Sequence, residues 1–227
     1  MDKNQEYISF EQVPFGGNDF ADNPESRCPC MLLLDTSGSM AGMAMQQLNE
    51  GIQTLKNELM QDPLAMKRVE VAMVTFGPVQ LESDFKTVDN FYPKRLVADG
   101  DTPIGAAVTM GIELINRRKQ VYKENGVGYY KPWIILITDG APTDNWGHAA
   151  ELIKEGEAKG SFAFFAIGVE GANMDVLGKL AVRTPLKLKG LMFREFFLWL
   201  SSSMKMVSSK NPGSTINLLP PSGWADL

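Results

Sequence analysis

The stretch MLLLDTSGSM, residues 31–40, decides the fold. Met31–Leu34 is an unbroken apolar run that stops at Asp35 and opens into Thr36-Ser37-Gly38-Ser39. A short apolar run bounded by a polar turn suits a strand covered on both faces of a parallel sheet. Three more runs read the same way: VEVAMVTF (69–76), PWIILIT (132–138) and SFAFFAIGV (161–169). The segment LKLK (186–189) alternates and carries lysines, which suits an edge strand. Val79–Leu81, reached through Gly77-Pro78, is expected to return antiparallel to the second strand. Between the strands, apolar residues recur at helical spacing. Met45, Leu48, Ile52, Leu55 and Leu59 form one set, and Ile104, Val108, Ile112 and Ile115, beginning from Pro103, another. Asp144 is expected to cap a helix stopping at Gly160, and Asn173 one running through Leu180. A final helix over 191–207 aligns Phe193, Phe196, Phe197, Leu200 and Met204 as a core stripe. This alternation predicts an α/β fold: a doubly wound, mostly parallel central sheet with one antiparallel edge strand and helices on both faces.

Outside these elements, residues 1–27 read as a tail or strap, 28–209 as the folded domain, and 210–227 as a Pro/Gly/Ser-rich tail whose Leu218, Leu219 and Trp224 could dock. A length of 227 residues fits one domain with appendages. The net charge of −5 speaks against nucleic-acid binding, which needs a dense basic face. No apolar run reaches membrane-spanning length, and the first residues lack the basic and apolar regions of a secretory signal. Cys28 and Cys30 are too close in sequence for an unstrained bridge. Read as buried thiols, they point to a reducing, cytoplasmic setting.

Ligands of an open α/β sheet gather at the carboxyl ends of strands, where the strand order reverses. Asp35-Thr36-Ser37-Gly38-Ser39 follows the first strand and Asp139-Gly140 the strand 132–138, while Gly100-Asp101-Thr102 precedes the second long helix. If the strand order is the common one, Asp35, Ser37, Ser39, Thr102 and Asp139 share one crevice. Carboxylates and hydroxyls without histidine or thiolate suit a hard cation: Mg²⁺ first, with Mn²⁺ or Ca²⁺ as alternatives. Taken singly, each segment would be a helix cap or a turn; together at strand ends they favour a metal.

The segments MLLLDTSGSM, DGDTPIGAA (99–107) and ILITDGAPTD (135–144) resemble the von Willebrand factor A domain and its metal-ion-dependent adhesion site, over roughly residues 30–207. With ENGVGYYKPWIILITDGAPTD (124–144), the chain is more narrowly similar to bacterial TerY-like, tellurium-resistance-associated proteins. The resemblance implies Ser37, Ser39 and Thr102 as direct metal ligands, with Asp35 and Asp139 acting through water or switching in. It implies a binding module and no enzyme, with Asp or Glu of a protein partner completing the metal sphere. Gly38, Met40, Asp101 and Gly140 are the expected partner-contacting rim. The family context also suggests a stress-response system with a kinase and a phosphatase.

Two other readings compete. Asp35 could be a phosphoryl acceptor on Mg²⁺, although Ser37 stands where a D-x-D-x-T pattern needs a second Asp. Alternatively the metal is vestigial and binding runs through the tails, or through Tyr122, Tyr129 and Tyr130 around a hairpin-type turn at Asn125-Gly126. His148 reads as a surface histidine, and Arg117-Arg118-Lys119 as solvated charges at a helix end.

Overall fold

The structure, a computed structural model, describes Phe20 and residues 22–226. The rest of the expected strap, residues 1–19 and 21, lies outside the described residues. Seven strands form one sheet: β1 (Cys28–Asp35), β2 (Val69–Phe76), β3 (Gln80–Thr87), β4 (Trp133–Thr138), β5 (Ala163–Gly168), β6 (Leu186–Leu188) and β7 (Ala225–Asp226). Their order is β3-β2-β1-β4-β5-β6-β7. Chain progression reverses between β1 and β4, which are parallel neighbours with Leu34 opposite Ile137. The first four runs read as strands are strands, and every residue of β1, β2 and β4 is buried.

Six helices flank the sheet: α1 (Met43–Met60), α2 (Pro63–Arg68), α3 (Ile104–Glu124), α4 (Gly147–Ala158), α5 (Met174–Leu180) and α6 (Phe193–Ser208). The alternation of β1 splits them into two layers. Cys28, Cys30, Leu32 and Leu34 face one cluster with the apolar stripes of α1 and α6. Met31 and Leu33 face the other, with α3, α4 and α5. The stripe of α6 is core, as its spacing predicts: Phe193, Phe196, Phe197, Leu200 and Met204 are wholly buried. Both cysteines are buried free thiols, and burial raises the pKa of each.

Several local expectations are corrected. Asn125-Gly126 closes α3 and makes no hairpin: Gly126 has φ 66°, its N–H donates to the Lys123 carbonyl, and the Val127 N–H reaches back to the Tyr122 carbonyl. That double closure ends a helix with glycine in the left-handed region. Tyr122 and Tyr130 are buried and form no exposed ridge. Arg118 is no solvated charge: it donates to both carboxylate oxygens of buried Glu70, at 2.8 and 2.7 Å. Only Arg117 of that run pairs at the surface, with Glu113. The antiparallel return after β2 is longer than expected, covering all of β3. The chain beyond α6 also comes back. Trp224 inserts beside Phe196 and Trp199, and β7 pairs antiparallel with β6, which makes a second antiparallel edge.

The two main helices of the first layer touch at a glycine. A Cβ on Gly51 of α1 would stand 2.3 Å from the Phe197 ring of α6. Gly51→Ala is therefore expected to cost about 1–3 kcal/mol by overpacking, read by chemical denaturation. Phe197→Ala should cost about 3–5 kcal/mol. In the double variant the costs should fall short of their sum, since the new methyl occupies space the ring has left. Strict additivity would contradict the contact.

Candidate metal centre

Asp35 is the last residue of β1 and fully buried. Its Oδ1 accepts the Ser37 N–H at 2.8 Å, and its Oδ2 accepts the Thr138 hydroxyl of β4 at 2.5 Å. The Ser37 and Ser39 hydroxyl oxygens are 3.0 Å apart, and Ser39 donates to Asp139 Oδ1 at 2.6 Å. The residues expected from the β1 and β4 ends thus form one connected oxygen cluster across the switch point. Thr138, which the sequence reading missed, bridges both loops: its hydroxyl oxygen also accepts the Gly140 N–H at 3.2 Å. A threonine directly before Asp139 was the available signal.

Thr102 arrives from a third loop. The Gly38 N–H donates to the Gly100 carbonyl at 3.0 Å, and the Asp99 N–H to the Thr36 carbonyl at 2.6 Å. This loop lies on the end of β2 only because Gly77 has no side chain; a Cβ there would stand 2.5 Å from the Asp99 oxygen. Thr102 is in turn tied to the β4 loop. Its N–H donates to the Thr143 hydroxyl, and its carbonyl accepts the Thr143 N–H. The Thr102 hydroxyl makes no hydrogen bond among the described residues, and a Cβ on Gly140 would meet it at 3.2 Å. Contrary to the expectation from sequence, Asp144 does not cap α4. Its two oxygens accept the Gly105 and Ala106 N–H groups, so it caps α3 directly after Thr102. The reason is geometric: the β4 loop lies over the first turn of α3, where unpaired N–H groups point outward. Asn173 does cap α5, through the Val176 N–H.

Burial raises the pKa of Asp35 most, and the charge of Asp139 adds to it; hydrogen bonds from Ser37 and Thr138 pull it back. The crevice therefore gathers negative charge that burial disfavours, which a cation would relieve. Among the described residues no three His, Cys, Asp or Glu side chains gather to hold a metal by themselves. The donors here are two carboxylates and three hydroxyls, and this hard set fits an oxygen-seeking cation. The 3.0 Å between Ser37 and Ser39 oxygens also matches the edge of an oxygen octahedron of about 2.0–2.1 Å radius. Of the expected rim, Gly38 and Asp101 are exposed and Gly140 is half-buried. Met40 is not rim: its side chain is wholly buried in the α1/α6 core, because the short helical turn over Gly38–Met40 points it inward.

A doubly wound sheet with an oxygen-lined crevice at its switch point defines a Rossmann-like domain with a candidate cation site at that end. The sequence profile of the von Willebrand factor type A domain matches residues 31–194, and the chain belongs to that family. It is a family of adhesion and protein-interaction modules, typically without enzymatic activity, whose domains often bind a divalent metal. Solved structures that share the fold include the following two. The pilus adhesin SpaC from Lactobacillus rhamnosus GG matches with TM-score 0.63 and 13% identity, over 80% of this chain and 30% of that one. Proximal thread matrix protein 1 from the mussel byssus matches with TM-score 0.53 and 19% identity, over 81% and 47%. This chain spans less than half the length of either. No curated protein matches it in sequence. Among the described residues, no helix is long and apolar enough to cross a membrane.

Two substitutions check the architecture. Thr138→Val removes the hydroxyl that joins Asp35 to the Asp139 loop and should cost about 1–3 kcal/mol in denaturant unfolding. Asp144→Ala removes the cap of α3 and should cost about 0.5–2 kcal/mol. An unchanged unfolding midpoint in either variant would contradict the corresponding bond.

Proposed function

We propose that this domain is a metal-dependent protein-binding module that engages an acidic group of its partner through Mg²⁺, with Mn²⁺ or Ca²⁺ as substitutes. Ser37, Ser39 and Thr102 are the direct ligands in this reading. Asp35 and Asp139 hold the hydroxyls and coordinated water in place. The observation that carries it is the pair of serine hydroxyls 3.0 Å apart, bonded to Asp139 and set beside an uncommitted threonine hydroxyl. A bound divalent ion supplies an electrophilic open position that a partner's Asp or Glu can fill. The chain's own groups support this without chemistry. Neutral hydroxyls leave most of the ion's charge unspent, and the carboxylates are kept busy by the Ser37 N–H, Thr138 and Ser39.

The phosphoryl-acceptor reading of Asp35 loses ground on the same geometry. Asp35 is fully buried and both its oxygens accept hydrogen bonds, which orients it as a support and blocks it as a nucleophile. A binding module and no enzyme is therefore the reading adopted. A complete adhesion site, a TerY-like assignment, and a cytoplasmic stress-response or tellurium-resistance setting with a kinase and a phosphatase rest on the resemblance of the quoted motifs. The buried free thiols of Cys28 and Cys30 agree with a reducing compartment.

Calorimetry with MgCl₂ tests the centre. The Ser37→Ala/Ser39→Ala double variant should keep its circular dichroism and unfolding midpoint. It should bind Mg²⁺ about tenfold more weakly or worse. Unchanged affinity in the folded variant would remove the assignment.

A further inference from the structure

Beside the crevice runs a groove of about 780 Å³ between the start of α1 and the segment 95–98. Met43 and Val97 line it, 59% and 75% exposed, with Met45, Gln46, Asn49 and Arg95. Large apolar side chains left this open on adjoining segments are characteristic of contact sites. The groove is also built to hold its shape. The Asn49 side chain donates to the Leu96 carbonyl at 3.0 Å and accepts the Leu96 N–H at 2.7 Å, so α1 clamps the segment carrying Val97.

The two walls of the groove lead along the chain into loops of the candidate metal centre. Met43 lies four residues beyond Ser39, and Val97 five before Thr102. The two loops that connect them are bonded to one another through Gly38–Gly100 and Thr36–Asp99. Four residues of chain span at most about 14 Å, which an extended partner at about 3.3 Å per residue covers in about four residues. Among the residues that line the groove, Arg95 alone is charged, and a cation there favours an acidic chain. Arg95 makes no ion pair among the described residues.

We infer that the Met43–Val97 groove is the specificity-determining half of the binding surface. Its occupant is an acidic peptide segment: one carboxylate goes to the metal crevice, an apolar side chain within about four residues enters the groove, and a second acidic group meets Arg95. The inference rests on the metal-dependent reading above and names the partner's chemistry. Aliphatic burial supplies affinity in such a site, and the charges supply register and choice of partner.

The test uses a displayed library of random dodecapeptides with one fixed central Asp, selected on the full chain in MgCl₂. Recovered peptides should be enriched in Leu, Ile, Met or Phe at a constant offset from the Asp. Synthetic copies are then titrated by fluorescence anisotropy. Val97→Ser and Met43→Ser, both exposed positions, should weaken binding about fivefold or more, while calorimetric Mg²⁺ affinity stays unchanged. Arg95→Glu should weaken it further for peptides with a second acid. Binding lost in EDTA but indifferent to all three substitutions overturns the groove and leaves the metal reading intact. Binding sensitive to the groove variants but unaffected by EDTA overturns the metal reading and keeps the groove. Recovery of no peptide, or of peptides without an apolar preference, overturns the groove.

Discussion

The carboxylate of Asp35 is the constraint around which the rest is arranged. It is a fully buried charge at the carboxyl end of β1, and a buried carboxylate persists only when its lone pairs are taken up. The Ser37 N–H takes one oxygen and the Thr138 hydroxyl the other. The first bond curls the β1 loop back over its own strand end, bringing Ser37 and Ser39 together. The second ties β1 to β4 across the reversal of strand order. Without both, the hydroxyl pair and Asp139 would have no common frame. The third loop depends on that curl, because the Gly38 N–H and the Thr36 carbonyl are what it bonds to.

How much of this was legible in the sequence follows from the range of the forces involved. The central strands could be read because their residues are buried on both faces and are therefore apolar without interruption. The α6 stripe could be read because one helical face must cover the sheet. That the loops carrying Asp35, Ser37, Ser39 and Asp139 would meet was legible because neighbouring parallel strands end side by side at the switch point. Bonds made only in three dimensions were not legible. Asp144 caps the helix that lies beneath it in space rather than the one after it in sequence, and nothing local distinguishes the two. Thr138 and Gly140 acquire their roles only once β4 stands beside β1. Met40 failed as a rim residue because a three-residue turn, too short to show periodicity, rotates its side chain into the core.

Of the chain's end, the docking of Trp224 was foreseen and the short strand after it was not, for a related reason. Ala225–Asp226 is too short to register as a strand, and Pro and Gly nearby indicate irregular backbone. Yet Trp224 is nearly fully buried against Phe196 and Trp199, and the Trp199 indole donates to the Leu219 carbonyl. A single large aromatic can fix a segment whose propensity predicts nothing, since its burial outweighs the ordering cost of the few residues it carries.

The two ends of the sheet solve the problem of buried charge in opposite ways. At the start of β2, Glu70 is buried and answered by Arg27, Arg118 and the Tyr122 hydroxyl, with Phe20 against both guanidinium groups. Burial foremost, and the charge of Glu70 with it, raises the pKa of Tyr122, so its hydroxyl stays protonated and donates at 2.5 Å. That end is answered from within: the Glu70 carboxylate meets two guanidinium groups of the chain itself. At the other end, Asp35 and Asp139 are answered only by neutral N–H and O–H groups. Among the described residues no lysine, arginine or histidine pairs with either carboxylate, whereas two guanidinium groups meet Glu70. In the proposed reading, that shortage of positive charge leaves room for a cation from outside. The Glu70 cluster in turn anchors Arg27 and, on α3, Arg118 to the sheet, at the far end from the crevice.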